Sequence, residues 1–102
     1  MEKVRLGIIG VGNMGSSHLR DYMNGAHKNM EITAICDIDP AKIENAKKIL
    51  NNENIPSFAS SDEIIKSGLV DAVLIATPHY DHPTIAIAAF ENGLHVLSEK
   101  PA

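Results

Sequence analysis

Val4-Arg5-Leu6-Gly7-Ile8-Ile9 opens the chain as a short β-branched run bounded by Gly10, the pattern of a parallel strand buried on both faces. Beyond a glycine-rich turn, Met14, His18, Leu19 and Tyr22 recur at helical spacing up to about Met23, and Gly25 is a natural stop. Residues 31–36 read as a second strand that ends at Asp37. Asp39-Pro40 then opens a helix, with Asp39 as N-cap and Pro40 at the first helical position. The apolar stripe of that helix is Ile43, Ala46, Ile49 and Leu50, and Asn51-Asn52 ends it. Residues 56–59 fit a short third strand. Ser60 followed by Glu63 forms a capping box, and the short helix it starts is expected to close at Gly68. Residues 70–76 form the fourth strand, followed by a turn with Thr77 and Pro78. A last helix runs from about Pro83 to Asn92, with Gly93 as its left-handed stop. Its apolar residues Ile85, Ile87, Ala88, Ala89 and Phe90 nearly encircle it, which predicts tight packing on a sheet. His95-Val96-Leu97-Ser98 is the fifth strand.

Strand and helix alternate throughout, which calls for an α/β fold: a doubly wound parallel sheet with helices on both faces. Right-handed crossovers leave the strand order 3-2-1-4-5 as the expected topology. At 102 residues the chain holds one domain, 1–102, and it lacks the sixth strand usual in such sheets. The domain is therefore expected to be incomplete, with the chain ending inside a larger protein. Strand five is then an unprotected edge, which predicts self-association into a homo-oligomer.

Charge and composition narrow the partners. The formal net charge is -4 and the nine Lys and Arg are scattered, so no nucleic-acid footprint is expected. No apolar run reaches the roughly 18 residues of a membrane span. Met1-Glu2-Lys3 leads straight into a strand, so no signal peptide is expected. The single Cys36 excludes an internal disulfide and suits a reducing cytoplasm. With no cation nearby to activate it, Cys36 reads as a buried strand residue.

Candidate chemistry begins at Gly10-Val11-Gly12-Asn13-Met14-Gly15, a G-x-G-x-x-G turn between a strand and a helix. Gly10 permits the tight turn, Gly12 lets backbone approach a pyrophosphate, and Gly15 lets helix and strand pack closely. The helix N-terminus offers unpaired N–H groups and partial positive charge to phosphates. Asn13 and Met14 complete the turn as cofactor contacts. Glycine is common, so the turn alone is weak evidence. The second half of the fingerprint is Asp37, at the end of strand two and 22 residues after Gly15, where an acid can accept both ribose hydroxyls. Its carboxylate repels a 2′-phosphate, and neither Ile38 nor Asp39 supplies a compensating cation. NAD is therefore favoured over NADP. The plain alternative is a glycine-rich turn and a surface acid in a nucleotide-free fold.

Two further segments lie at the C-terminal ends of strands, where doubly wound sheets bind ligands. One is Ala76-Thr77-Pro78-His79-Tyr80-Asp81-His82-Pro83, and the other is Ser98-Glu99-Lys100-Pro101. With Gly15-Ser16-Ser17-His18 and Asn92-Gly93-Leu94-His95-Val96-Leu97-Ser98-Glu99-Lys100-Pro101, they make the whole chain resemble the Gfo/Idh/MocA oxidoreductases. That family carries a His three residues beyond the glycine turn, T-P-N-x-x-H after strand four, and A-G-K-H-V-x-x-E-K-P leading out of strand five. The Glu-Lys-Pro exit is the most specific part of the resemblance. It implies that Thr77, Pro78 and His82 shape the cofactor pocket and that Glu99 and Lys100 contact ribose, nicotinamide or substrate. It makes Lys100 the candidate catalytic group, polarising the reacting oxygen of a sugar, cyclitol or related small-molecule substrate. Pro101 is a candidate for a cis peptide bond. His79 departs from the family, which most often has Asn there.

Blander readings stand beside these. His18 and His95 read as packed or hydrogen-bonded structural residues, and Glu99-Lys100 alone would pass for an exposed charge pair. His79, Asp81 and His82 have no further His or Cys close in sequence, so no metal site is expected. The resemblance places the general acid–base group and most of the substrate pocket in a second domain, so these residues are expected to bind cofactor without turning over substrate. A non-catalytic NAD-sensing regulatory domain is the alternative, but it gives no reason for Thr77-Pro78 or Glu99-Lys100-Pro101. A site for another adenosine ligand, such as S-adenosylmethionine, fits the pyrophosphate spacing of the glycines poorly.

Overall fold

The computed structural model describes residues 4–13, 30–76 and 82–98. The expected helix after the glycine turn, with Met14, Gly15, His18, Leu19 and Tyr22, lies outside them. The described strands are β1 (Val4–Ile9), β2 (Met30–Cys36), β3 (Ser57–Phe58), β4 (Ala72–Ile75) and β5 (His95–Ser98), and the helices are α1 (Pro40–Leu50), α2 (Ser61–Ile65) and α3 (His82–Glu91). All strand pairs are parallel, in the order β3-β2-β1-β4-β5. This is the topology that the alternation of elements predicts.

Both faces of the sheet are apolar, as a parallel sheet covered on two sides requires. Leu6, Ile8, Ile35, Ala72 and Leu74 point to one face, where Ala46 and Leu50 of α1 pack with Val11 and Ile55. Ile9, Ala34, Cys36, Val73 and Ile75 point to the other, against Ile64 and Ile65 of α2 and Ile85 and Ala89 of α3. A Cβ on Gly7 would come within 2.9 Å of Val70 Cγ1 and 3.0 Å of Ile64 Cδ1, so α2 sits closely on β1 only because residue 7 has no side chain.

The β1–β2 pairing contains one irregularity: Leu6 pairs with Ile32 and Gly7 with Ala34, which leaves Thr33 as a bulge. Thr33 spends its hydroxyl on the Leu69 carbonyl at 2.8 Å. The bulge places Ile32 and Ile35, three residues apart, in the same packing layer. It also sets the register at the end of the sheet, where Ile9 lies opposite Cys36.

Several details differ from the sequence expectations. β3 keeps only two residues, and β4 starts at Ala72 rather than Val70. The short α2 is capped by Ser60, whose Oγ accepts from the Glu63 N–H at 3.3 Å, but it stops at Lys66. Gly68 instead takes its positive φ of 75° in the turn beyond. In α3 the encircling apolar residues do not all pack: Ile85 and Ala89 are buried, whereas Ile87 and Phe90 are 57% and 64% exposed. One face of a short helix is all the sheet can cover. No helix among the described residues is long and apolar enough to cross a membrane.

Candidate functional site

The site is built where β1 and β2 end side by side. Gly10 leaves β1 with φ 84°, a left-handed conformation that side chains disfavour, and its N–H donates to the Cys36 carbonyl at 2.9 Å. The chain then makes a tight 3₁₀ turn through Val11–Asn13. Val11 is anchored in the core, while Gly12 is exposed.

Asp37 follows directly from β2 and is only 7% exposed, among the described residues the one buried charged group. Burying a carboxylate is costly unless its charge is hydrogen-bonded. Here Oδ2 accepts from the Gly12 N–H and Oδ1 from the Asp39 N–H, each at 2.9 Å. Asp37 thereby ties the glycine turn to the entrance of α1. Each carboxylate oxygen retains a further lone pair, so the group can still accept two hydroxyl donors. Ile38, next in sequence, is 87% exposed. Cys36, at the other side of Asp37, is a buried free thiol whose pKa is pushed up to about 12, mainly by burial and then by the charges of Asp37 and Glu63.

Helix α1 brings in a residue that sequence reading passed over. Asp39 caps the helix by accepting from the Ala41 N–H at 3.0 Å, and this turns Lys42 toward the glycine turn. A Cβ on Gly12 would meet Lys42 Cδ first, with Cγ at 2.7 Å and Cβ at 2.9 Å. Val11, Gly12, Ala41, Lys42, Asn45, Ala46 and Ile49 line a groove of about 180 Å³ between turn and helix. The available signal was the position of Lys42 itself, in the first turn of a helix, where acids are the favoured charge.

Of the candidate cofactor residues, the structure brings Gly10, Gly12 and Asp37 together and places the Asn13 backbone in the turn. Met14, Gly15, Thr77, Pro78, Glu99 and Lys100 lie outside the described residues, as do His79 and Pro101. His82 begins α3, and its side chain lies outside the description as well. Among the described residues, no group of three His, Cys, Asp or Glu side chains is placed to hold a metal.

A doubly wound parallel sheet, a left-handed glycine leaving its first strand and a buried acid at the end of its second define a dinucleotide-binding Rossmann unit. A dinucleotide fits these residues: Gly12 adds no side chain of its own to the turn, where the flexible Lys42 stem lies against it, and Asp37 keeps acceptor capacity. The chain belongs to the Gfo/Idh/MocA oxidoreductase family, whose NAD-binding Rossmann fold matches residues 4–102. It is 37% identical over 98 residues to inositol 2-dehydrogenase 1 of Paenarthrobacter aurescens, covering 96% of this chain and 28% of that protein. It is 39% identical over 98 residues to the 2,7-anhydro-N-acetylneuraminate hydratase of Escherichia coli, covering 96% of this chain and 24% of the relative. Among solved structures, scyllo-inositol dehydrogenase of Lactobacillus casei with bound NAD(H) and scyllo-inositol superimposes with a TM-score of 0.84 at 30% identity, over 98% of this chain and 28% of that one. The chain thus spans about a quarter of the length of these relatives.

Proposed function

We propose that this chain is the cofactor-binding half of an oxidoreductase that moves a hydride between NAD and a hydroxylated small molecule, a cyclitol or sugar. The observation that carries the reading is the buried Asp37 carboxylate bonded to the Gly12 N–H. It supports reading Asp37 as the ribose acceptor and the glycine turn bonded to it as the pyrophosphate cradle. The bound nicotinamide would supply the hydride chemistry. Gly10 and Gly12 would admit the phosphates, Asp37 would accept the ribose hydroxyls, and exposed Ile38 would offer the adenine an apolar surface. Asn13, Met14, Gly15, Thr77, Pro78, His82 and Glu99 would complete the cofactor pocket by the family resemblance. Lys100 would hold the substrate oxygen and stabilise charge that develops on it.

The relatives' greater length supports a second domain carrying the general acid–base group and the substrate pocket. The chain alone would then bind NAD without turning over substrate. A cytoplasmic location and self-association belong to the same reading. The non-catalytic sensing alternative is not favoured by membership of an oxidoreductase family.

Calorimetric titration with NADH and NADPH tests the cofactor site. NADH is expected to bind more tightly than NADPH. Asp37→Ala is expected to weaken NADH by about 10- to 100-fold, the equivalent of roughly 1.5–3 kcal/mol for hydrogen bonds to a charged group. A thermal melt of the variant checks that the turn still folds. Binding of neither nucleotide to the folded wild-type chain would sink the proposal.

A further inference from the structure

We propose that Lys42 is a further cofactor-positioning residue, supplying the cation that meets the pyrophosphate of the dinucleotide at Gly12; this rests on the cofactor-binding reading above. Three observations carry it. The first is placement: the methylene stem of Lys42 lies against Gly12, in the space a side chain on that glycine would claim. Gly12 is the glycine through which the backbone approaches the pyrophosphate. The ammonium follows Cδ by two bonds, so rotations beyond Cβ move Cγ and Cδ off the glycine and leave the charge within reach of the turn.

The second is charge. Asp37 and Asp39 flank the turn, and their carboxylates oppose the entry of two phosphate charges. Among the residues lining the groove, Lys42 carries the one cationic side chain. At about 180 Å³ the groove is smaller than the roughly 300–1,000 Å³ of pockets that enclose whole ligands, and suits one polar group of a larger molecule.

The third is that Lys42 is locally misplaced. It stands third in α1, after Pro40 and Ala41, where the helix dipole favours an acid and a capping box would place Glu or Gln. No acid occupies the first turn of α1. Departures of this kind from local preference are expected at functional positions.

The test compares the wild-type chain with Lys42→Met, which keeps most of the apolar stem without the charge, and Lys42→Arg, which keeps the charge. NADH and NADPH are titrated by calorimetry at low and moderate salt, and adenosine by NMR chemical-shift titration. Lys42→Met is expected to weaken NADH and NADPH alike by about two- to fivefold, scaled from a partly exposed charged contact. Its NADH affinity should depend less on salt than that of the wild type. Adenosine binding should not change, and Lys42→Arg should recover most of the NADH affinity. A loss confined to NADPH would overturn the proposal by moving the contact to the 2′-phosphate. Equal loss for adenosine would overturn it too, because the stem would then be shaping the nucleoside pocket. Undiminished NADH binding by Lys42→Met would leave the cofactor site standing without this residue, whereas a wild-type chain that binds no NADH would remove both.

Discussion

Arg5 and Asp71 fasten the entry of β1 to the entry of β4. The Arg5 N–H and Nε donate to Asp71 Oδ2 at 3.0 and 3.2 Å, Nη2 donates to Oδ1 at 2.9 Å, and Nη1 reaches the Gly68 carbonyl at 3.1 Å. The Arg5 side-chain bonds hold the Asp71 carboxyl down at a pKa of about 2, helped by the Arg5 backbone N–H. A carboxyl whose pKa is lowered on folding stabilises the fold above its unfolded value, near 3.9, and loses that contribution as pH falls toward the folded value. Both side chains are 44% exposed, so solvent screens the pair and its contribution is small. Asp71→Asn is expected to lower stability slightly at neutral pH and to flatten the fall between about pH 4 and pH 2; denaturant titrations across that range measure both. An unchanged acid limb in the variant would show that other carboxyls govern it. Cys36 illustrates the opposite shift: a thiol held protonated to about pH 12 is a packing residue, not a nucleophile.

At the scale of elements, α1 presents the site, and its caps fix where it starts and stops. Asp39 bonds the Ala41 N–H at its beginning, and Asn51 closes it in a left-handed conformation with φ 53°, donating to the Lys47 and Lys48 carbonyls. Asp39→Ala is expected to cost about 1 kcal/mol, within the range of roughly 0.5–2 for lost N-caps, read as a lower urea midpoint with an unchanged slope. A loss near zero would mean that Pro40 and the Asp37 contact to the Asp39 N–H set the helix start unaided. Asp39, Pro40 and the apolar stripe were legible because cap chemistry and 3.6-residue periodicity are local. The early end of α2 was not, because Gly68 marks the turn that leads to Val70 rather than the last helical turn.

At the scale of the whole molecule, apolar side chains remain exposed among the described residues. Ile87 and Phe90 face outward from α3, and β5 pairs with β4 on one side only among the described residues. Both features favour association of copies. Light scattering is expected to show mass rising with concentration, and Phe90→Glu to shift the population toward the monomer. A mass that stays monomeric at the highest concentration would end that expectation.

The sequence by itself determined the sheet order, the glycine turn and the acid at Asp37, because alternating elements, right-handed crossovers and fixed offsets between glycines and acid are written in neighbouring residues. The family motifs at Thr77-Pro78 and Glu99-Lys100-Pro101 were legible in the same way. Only the tertiary structure decided that Thr33 bulges, that Asp37 holds the Gly12 N–H and that Lys42 lies across that glycine. Each depends on how two separated segments meet: the register of β2 on β1, and the seating of α1 against the turn. No local propensity encodes either contact, and packing the two faces of one sheet fixes both.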